Sequence, residues 1–391
     1  MLNEEKIVPC TGLYIHIPFC GNKCPYCDFN STVEAHIPEV RYVDVIIREM
    51  DYYIKGGGFA RPLDTIYIGG GTPSILSPKE VSRLFAHIKE SFEWTPEIEA
   101  TIEVNPSSID MAKLEAYLAS GINRLSLGVQ SFNDTELKAL GRTHSAKEAK
   151  AAFFMARKAG FKSIGIDLIY AIPGQSVDSF RENLVEAIEL KPEHISVYGL
   201  TLEEGTPMKE AVESGEVELV SEEVEAECYE LLVESLTKAG YVHYEISNFA
   251  LSGFESRHNL RYWETHDYLG LGAGAHSCLA GTADGESLTK RWWNVKEVEG
   301  YMGLVEEEGQ ALAGVEALTH DEERIEALYL GLRLLKGLNI KAFETKFNIS
   351  PTALLDNKAI SGGLVVIDDA EGGEPRLRLT SRGLLFSNEI F

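Results

Sequence analysis

Six short runs rich in Ile, Val, Leu and Tyr punctuate the first half of the chain, at 13–18, 65–69, 100–105, 124–130, 163–170 and 194–200. Each ends in a glycine, proline or polar cluster, the pattern of a buried strand. Helical periodicity fills the gaps. Pro38 opens a periodic stretch that stops at the glycines of 56–58. Ser77-Pro78-Lys79-Glu80 combines an N-cap, a proline at the first helical position and a capping-box glutamate. Asn133-Asp134-Thr135-Glu136 and Ser145-Ala146-Lys147-Glu148 repeat the arrangement, and Gly160 and Pro192 mark stops. Strands alternating with helices imply parallel βα units with right-handed crossovers, either as an open doubly wound sheet or as a barrel. In both, ligands sit beyond the carboxyl ends of the strands.

The pattern changes after about residue 205. Residues 216–239 read as an amphipathic helix, with Val217, Val220, Val224, Cys228, Leu231 and Leu232 on one face and solvated glutamates on the other. Residues 247–293 are rich in glycine, aromatics and histidine and carry little periodicity, which predicts a long irregular segment. Helices over 320–336 and 341–347, then strands at 364–368 and 376–380 around Glu371-Gly372-Gly373, predict a small winged-helix-like unit. The expected division is a βα core over 1–205, an extension over 206–315 and a small helical, winged domain over 316–391. Lys341, Lys346 and Lys358 are interleaved with Glu344 and Asp356, so the winged unit does not read as a DNA-binding module.

Charge narrows the partners. With 36 basic and 61 acidic residues among 391, the net charge of −25 opposes attraction to nucleic acid or anionic lipid. No run approaches 18 apolar residues, and Met1 to Cys10 lack the apolar middle of a signal peptide, so a cytoplasmic protein with no integral membrane segment is expected. Six cysteines are too few for a disulfide scaffold. Three of them crowd into eight residues, while Cys10, Cys228 and Cys278 stand apart and read as structural.

Cys20-Gly-Asn-Lys-Cys24-Pro-Tyr-Cys27 follows the first strand directly. Three thiolates on one loop can wrap zinc, with His16 as a fourth ligand, or an iron–sulfur cluster. A cubane held by three cysteines leaves one iron open. Other polar residues stand at strand ends: Gly69-Gly70-Gly71-Thr72-Pro73, Glu103, Gln130 and Asp167. Arg142, after the stop at Gly141, can meet a carboxylate bidentately.

The Cys-x3-Cys-x2-Cys spacing after a first strand resembles the radical S-adenosylmethionine (SAM) superfamily. That resemblance implies a partial (β/α)6 TIM-like barrel, and a 4Fe–4S cluster whose fourth iron is chelated by SAM and whose electron generates a 5'-deoxyadenosyl radical. The segments Tyr14-Ile-His-Ile-Pro-Phe-Cys20, 69–73, Ile102-Glu-Val-Asn-Pro106, Leu127-Gly-Val-Gln-Ser-Phe132, Leu140-Gly-Arg142 and Asp167-Leu-Ile-Tyr-Ala-Ile-Pro-Gly174 narrow the resemblance to the oxygen-independent coproporphyrinogen III oxidase group, over nearly the whole chain. Carried over, Cys20, Cys24 and Cys27 would hold the cluster. Tyr14, Tyr26, Gly70, Gly71, Thr72, Glu103, Gln130, Arg142 and Asp167 would contact SAM.

The group has an oxidase branch and a haem-chaperone branch. The oxidase branch resembles Cys-x3-Cys-x2-Cys-x-Cys and has an N-terminal extension; here Asp28-Phe29 follows Cys27, and 19 residues precede Cys20. His258-Asn-Leu-Arg-Tyr-Trp263 matches a motif associated with the chaperone branch. The resemblance thus implies a chaperone that binds haem and delivers it to apo-cytochromes or other respiratory haem proteins, through transient contact with membrane proteins, as a monomer or homodimer. The alternative is coproporphyrinogen dehydrogenase activity by radical decarboxylation of propionates, so enzymatic turnover stays open; a tRNA-modifying enzyme is disfavoured by the charge. His258 is the first candidate haem ligand, His266 and His276 are lesser ones, and Tyr262, Trp263 and Trp292 could pack a porphyrin face. The chain has no Cys-x-x-Cys-His, which argues against covalent c-type attachment.

Overall fold

The six apolar runs become parallel strands β1 (Thr11–Ile17), β2 (Leu63–Gly70), β3 (Trp94–Val104), β4 (Arg124–Gln130), β5 (Ser163–Tyr170) and β6 (His194–Gly199). In this computed structural model, which describes residues 10–56, 61–280, 288–369 and 373–387, they lie side by side in chain order. Residues 1–9, the last two glycines of the 56–58 stop and the hairpin tip at 371 and 372 lie outside the described residues. Between the strands run α1 (Glu39–Lys55), α2 (Pro78–Ser91), α3 (Met111–Ser120), α4 (Asp134–Ala139), α5 (Ala146–Ala159) and α6 (Val177–Leu190). Ser77 and Ser145 cap α2 and α5 as the motifs predict, Ser145 in a complete capping box. A strand order that never reverses puts every right-handed crossover on one face. The doubly wound alternative requires a reversal, so the architecture is the partial barrel.

Strand periodicity then assigns two faces. Leu13, Ile15, Ile17, Ile66, Ile68, Ile102, Leu125, Leu127, Ile164, Ile166, Ile195 and Val197 are at most 1% exposed and form the core with the helices. The alternate positions carry Tyr67, Glu103, Arg124, Ser126, Asp167, His194, Ser196 and Tyr198, which line the interior. Barrel interiors are normally filled by branched apolar side chains. This one is hollow and studded with polar side chains.

The barrel does not close. On the β6 side, after α7 (Pro207–Glu213) and α8 (Glu222–Lys238), come β7 (Val242–Glu245) and β8 (Asn248–Ala250), with β8 antiparallel to β6. After α9 (Arg257–Trp263), β9 (Tyr268–Leu271) pairs with β1, and β10 (His276–Leu279), β11 (Lys290–Asn294) and, beyond α10 (Val298–Glu308), β12 (Leu312–Ala317) extend that edge. The described residues thus form a sheet of twelve strands. Two expectations are corrected. The described residues of the 247–293 segment, which leave out 281–287, build short elements, each three to seven residues long and below the length at which periodicity registers. The helix expected from 216 starts at 222, because Ser221 is its N-cap and leaves Val217 and Val220 outside.

The C-terminal part has its own core around Leu328, Leu332, Phe343, Leu377 and Leu379. It comprises α11 (His320–Leu332), β13 (Leu338–Asn339), α12 (Ile340–Phe347), α13 (Asn357–Ser361), β14 (Val365–Asp369), β15 (Pro375–Leu379) and α14 (Ser381–Leu385), with the three strands antiparallel in the order β13-β15-β14. The expected 320–336 helix stops at 332, where the chain turns into β13.

Candidate functional site

The loop after β1 is cinched at its base. Cys20 N–H donates to Thr32 O at 2.8 Å and Thr32 N–H to Pro18 O at 2.7 Å, while Lys23 Nζ donates to Ser31 O at 3.1 Å. Cys20 is buried, Cys24 and Cys27 are half-buried, and all three are free thiols on the wall of a cavity of about 630 Å³. Thr72 Oγ1 and Arg142 Nη1 each donate to a sulfur, of Cys20 and Cys24 respectively, at 3.5 Å. Such donors stabilise thiolate charge. Against them, burial pushes the Cys27 thiol up.

A mononuclear zinc centre with His16 does not fit. His16 Nδ1 accepts from Tyr14 OH at 2.9 Å and Nε2 donates to Asn30 O at 2.7 Å, so neither nitrogen is available. Among the described residues no three His, Cys, Asp or Glu side chains converge closely enough for a single metal ion. An iron–sulfur cluster, whose three irons take one thiolate each, fits the donor set. Gly71 leaves the space beside it: a Cβ there would lie 2.9 Å from Cys20 Sγ and 2.8 Å from Phe19 O.

The same cavity wall carries Tyr26, Gly70, Gly71, Thr72, Glu103, Gln130, Arg142 and Asp167 together. Glu103 accepts from Tyr67 OH at 2.8 Å and from Gly70 N–H at 3.2 Å, and burial raises its carboxyl to about 7. Both Asp167 oxygens accept from Ser126 Oγ at 3.1 Å, and burial raises this carboxyl too. Gln130 ends β4 at φ +66°, a strained conformation for a residue with a side chain. Arg142 Nη2 donates to Gly128 O at 3.1 Å, while its Nε is buried with no hydrogen-bond partner. That orphaned donor beside the thiols fits a ligand carboxylate. Gly141 seats the arginine: at φ +66° a Cβ would strike Pro25 Cδ at 2.5 Å, so the Leu-Gly-Arg turn packs directly on the cysteine loop.

Tyr14 stands apart from the wall, behind it, stacked on Tyr67 with ring centres 6.3 Å apart and bonded to His16. Tyr67, Arg124, Ser126, His194, Ser196, Tyr198 and Asn259 line the cavity without having been singled out in the sequence. The signal was the period-two alternation of the strands, whose second face is polar in β4 (Arg-x-Ser) and β6 (His-x-Ser-x-Tyr).

His258 differs from expectation. It is 1% exposed, with Nδ1 paired to Thr65 Oγ1 and Nε2 to Tyr262 OH, both at 2.9 Å, and burial depresses its pKa to about 3. Neither nitrogen faces a ligand. Tyr262 packs edge-on to Tyr268, Arg333 stacks on Trp263 at 4.3 Å, and Trp292 packs against Tyr53. Of the lesser candidates, His266 lies 3.8 Å from Glu264, and the exposed His276 stacks on Trp293. The 258–263 motif therefore folds as α9, a plug at the start of β1 and β2. Arg261 pairs there with Asp64 and donates to Asp267 O at 2.9 Å.

Residues 14–187 match the family model of the Radical SAM superfamily, and 318–386 match the HemN C-terminal domain. The haem chaperone HemW of Bacillus subtilis (strain 168) is 37% identical over 97% of this chain and 97% of its own length. The haem chaperone HemW of Lactococcus lactis subsp. lactis (strain IL1403) is 36% identical over 97% and 95%. The chain belongs to the HemW family of radical SAM proteins. Its HemW-type fold is shared with coproporphyrinogen III oxidase (HemN) from Escherichia coli, a radical SAM enzyme, at TM-score 0.80 and 27% identity over 97% of this chain and 88% of that one. Membership of the radical SAM superfamily implies a 4Fe–4S cluster and SAM, which the thiol loop and the orphaned Arg142 donor fit. No helix of the described HemW-type chain is long and apolar enough to cross a membrane.

Proposed function

We propose that this chain is a cytoplasmic haem chaperone that binds haem and hands it to apo-cytochromes or other respiratory haem proteins, with transient contact at membrane-bound acceptors. The observation that carries this reading is the full-length likeness to haem chaperones at 36–37% identity, against 27% to the oxidase. Phe29, in the place of the oxidase branch's extra cysteine, supports it.

In this reading Cys20, Cys24 and Cys27 hold the 4Fe–4S cluster. Arg142 meets the SAM carboxylate, and Glu103, Gln130 and Asp167 take its polar groups, with Tyr26, Gly70, Gly71 and Thr72 shaping the wall and Tyr14 bracing it from behind. When bound, cluster and SAM supply a one-electron centre. The chain's own part is to bind and orient: Thr72 and Arg142 donate to thiolates, and Gly141 fixes the arginine against the loop. His258 contributes by holding α9 in place.

The test is haem transfer. Anaerobically reconstituted, haem-loaded chain is mixed with an apo-cytochrome, and the acceptor's absorption bands are followed. Acceptor bands growing in step with loss of the chain's haem are expected. Haem that stays on the chain, or moves no faster than free haem, overturns the proposal.

A further inference from the structure

The floor of the barrel holds a cation with no anion in direct contact. Arg124, the first residue of β4, is 3% exposed and faces the cavity, yet its guanidinium has no hydrogen bond or ion pair among the described residues, and its Nε is fully enclosed. A buried, unpaired charge costs several kcal/mol, and natural proteins retain one where something else completes it. The nearby carboxylates bond elsewhere, Glu103 to Tyr67 and Gly70 and Asp167 to Ser126, and the Arg124 charge reaches Asp167 only through space. By register Glu103 stands two residues beyond Arg124's neighbour Thr101 on β3, and Asp167 four residues beyond its neighbour Ser163 on β5. His194, the first residue of β6 and 1% exposed, bonds Tyr244 OH through Nε2 at 2.8 Å and leaves Nδ1 without a partner. Asn259 of α9 lines the same cavity.

We propose that Arg124, His194 and Asn259 form a second binding subsite, beneath the residues assigned to SAM, that takes a carboxylate. A guanidinium offers the planar pair of donors that a carboxylate accepts, and the imidazole and amide supply further donors around it. The carboxylate is carried either by a larger ligand entering the barrel or by a free small acid, and the chemistry recognised is the same.

Acetate is the probe. Thermal midpoints of the full-length reconstituted chain are compared in sodium acetate and sodium chloride of equal ionic strength. Acetate is expected to raise the wild-type midpoint by roughly 2 °C at ten times its dissociation constant. Arg124→Gln should lose that response while its midpoint in chloride is no lower than wild type, because an uncompensated charge has been removed. Arg124→Lys, which keeps the charge but not the fork, should retain the response with acetate binding weakened severalfold. Equal midpoints in acetate and chloride for wild type, a response that survives Arg124→Gln, or a large loss of stability in Arg124→Gln in chloride would each overturn the subsite.

Haem and its dimethyl ester, titrated by absorption, identify the source. About tenfold weaker binding of the ester to wild type, abolished in Arg124→Gln, assigns the subsite to the ligand's own carboxylate, whereas equal binding assigns it to a free acid. A chain that binds no haem refutes the proposed function and leaves the acetate result standing.

Discussion

Arg142 touches both halves of the site, donating to Cys24 on one side and presenting an unused Nε on the other. Arg142→Lys keeps the charge and loses the fork. Reconstituted protein carrying it should retain its iron and bind SAM at least tenfold more weakly, as read by equilibrium dialysis; unchanged SAM affinity would remove the arginine from that role. Cys24→Ser should instead lose most of the reconstituted iron and its cluster absorption while keeping its far-ultraviolet circular dichroism, since the thiol supports no core packing. His258 behaves differently from both. His258→Ala removes two buried hydrogen bonds and should cost roughly 2–4 kcal/mol in denaturant unfolding, leaving the spectrum of bound haem unchanged. A shifted haem spectrum with intact stability would restore the imidazole as a ligand.

At the level of elements, much of the fold was legible where a run was long enough to repeat. The six barrel strands and the caps at Ser77 and Ser145 could be read, because β-branched runs and capping motifs act locally. The strands β8 to β11 could not be, since three to five residues cannot display a period, and their pairing is decided by the β1 and β6 edges they meet. Glu49 shows another kind of hidden feature. This α1 residue is fully buried and accepts hydrogen bonds from Tyr301 OH and Asn294 Nδ2 at 2.6 Å and from Gly272 N–H at 3.0 Å, joining the helix to the extended sheet edge. In the sequence it is one glutamate among many. Burial raises its carboxyl to about 7, against 4.5 for an ordinary one. The folded state therefore holds this proton more tightly than the unfolded chain, and the group's contribution is fully present below about pH 4.5 and lost as pH rises through 7. The loss is on the order of 3 kcal/mol. Glu49→Gln should flatten the fall in unfolding free energy between pH 5 and 7.5; an unaltered pH profile would contradict the burial argument.

Across the whole molecule, the site was more legible than its surroundings. The cysteine spacing and the strand-end residues named the thiol loop and the upper part of the cavity wall, because chemistry confined to carboxyl ends of parallel strands leaves polar residues at predictable places. What stayed hidden was the interior below them, Arg124 and His194, since a polar residue at the start of a strand looks like an ordinary boundary. The role of α9 was hidden too, because the contacts that seat it on the barrel, His258 to Thr65 and Arg261 to Asp64, join residues about 190 positions apart. The C-terminal unit then adds contacts to that plug, with Arg333 on Trp263 and Lys336 on Glu264. Under the proposed function this assembly carries haem and does not make its precursor. Full-length chain, reconstituted anaerobically with cluster and SAM, should be assayed in parallel for haem uptake by absorption and for coproporphyrinogen consumption by chromatography. Uptake of one haem per chain with no vinyl product is the predicted result; conversion of coproporphyrinogen to protoporphyrinogen without stoichiometric haem binding would contradict it.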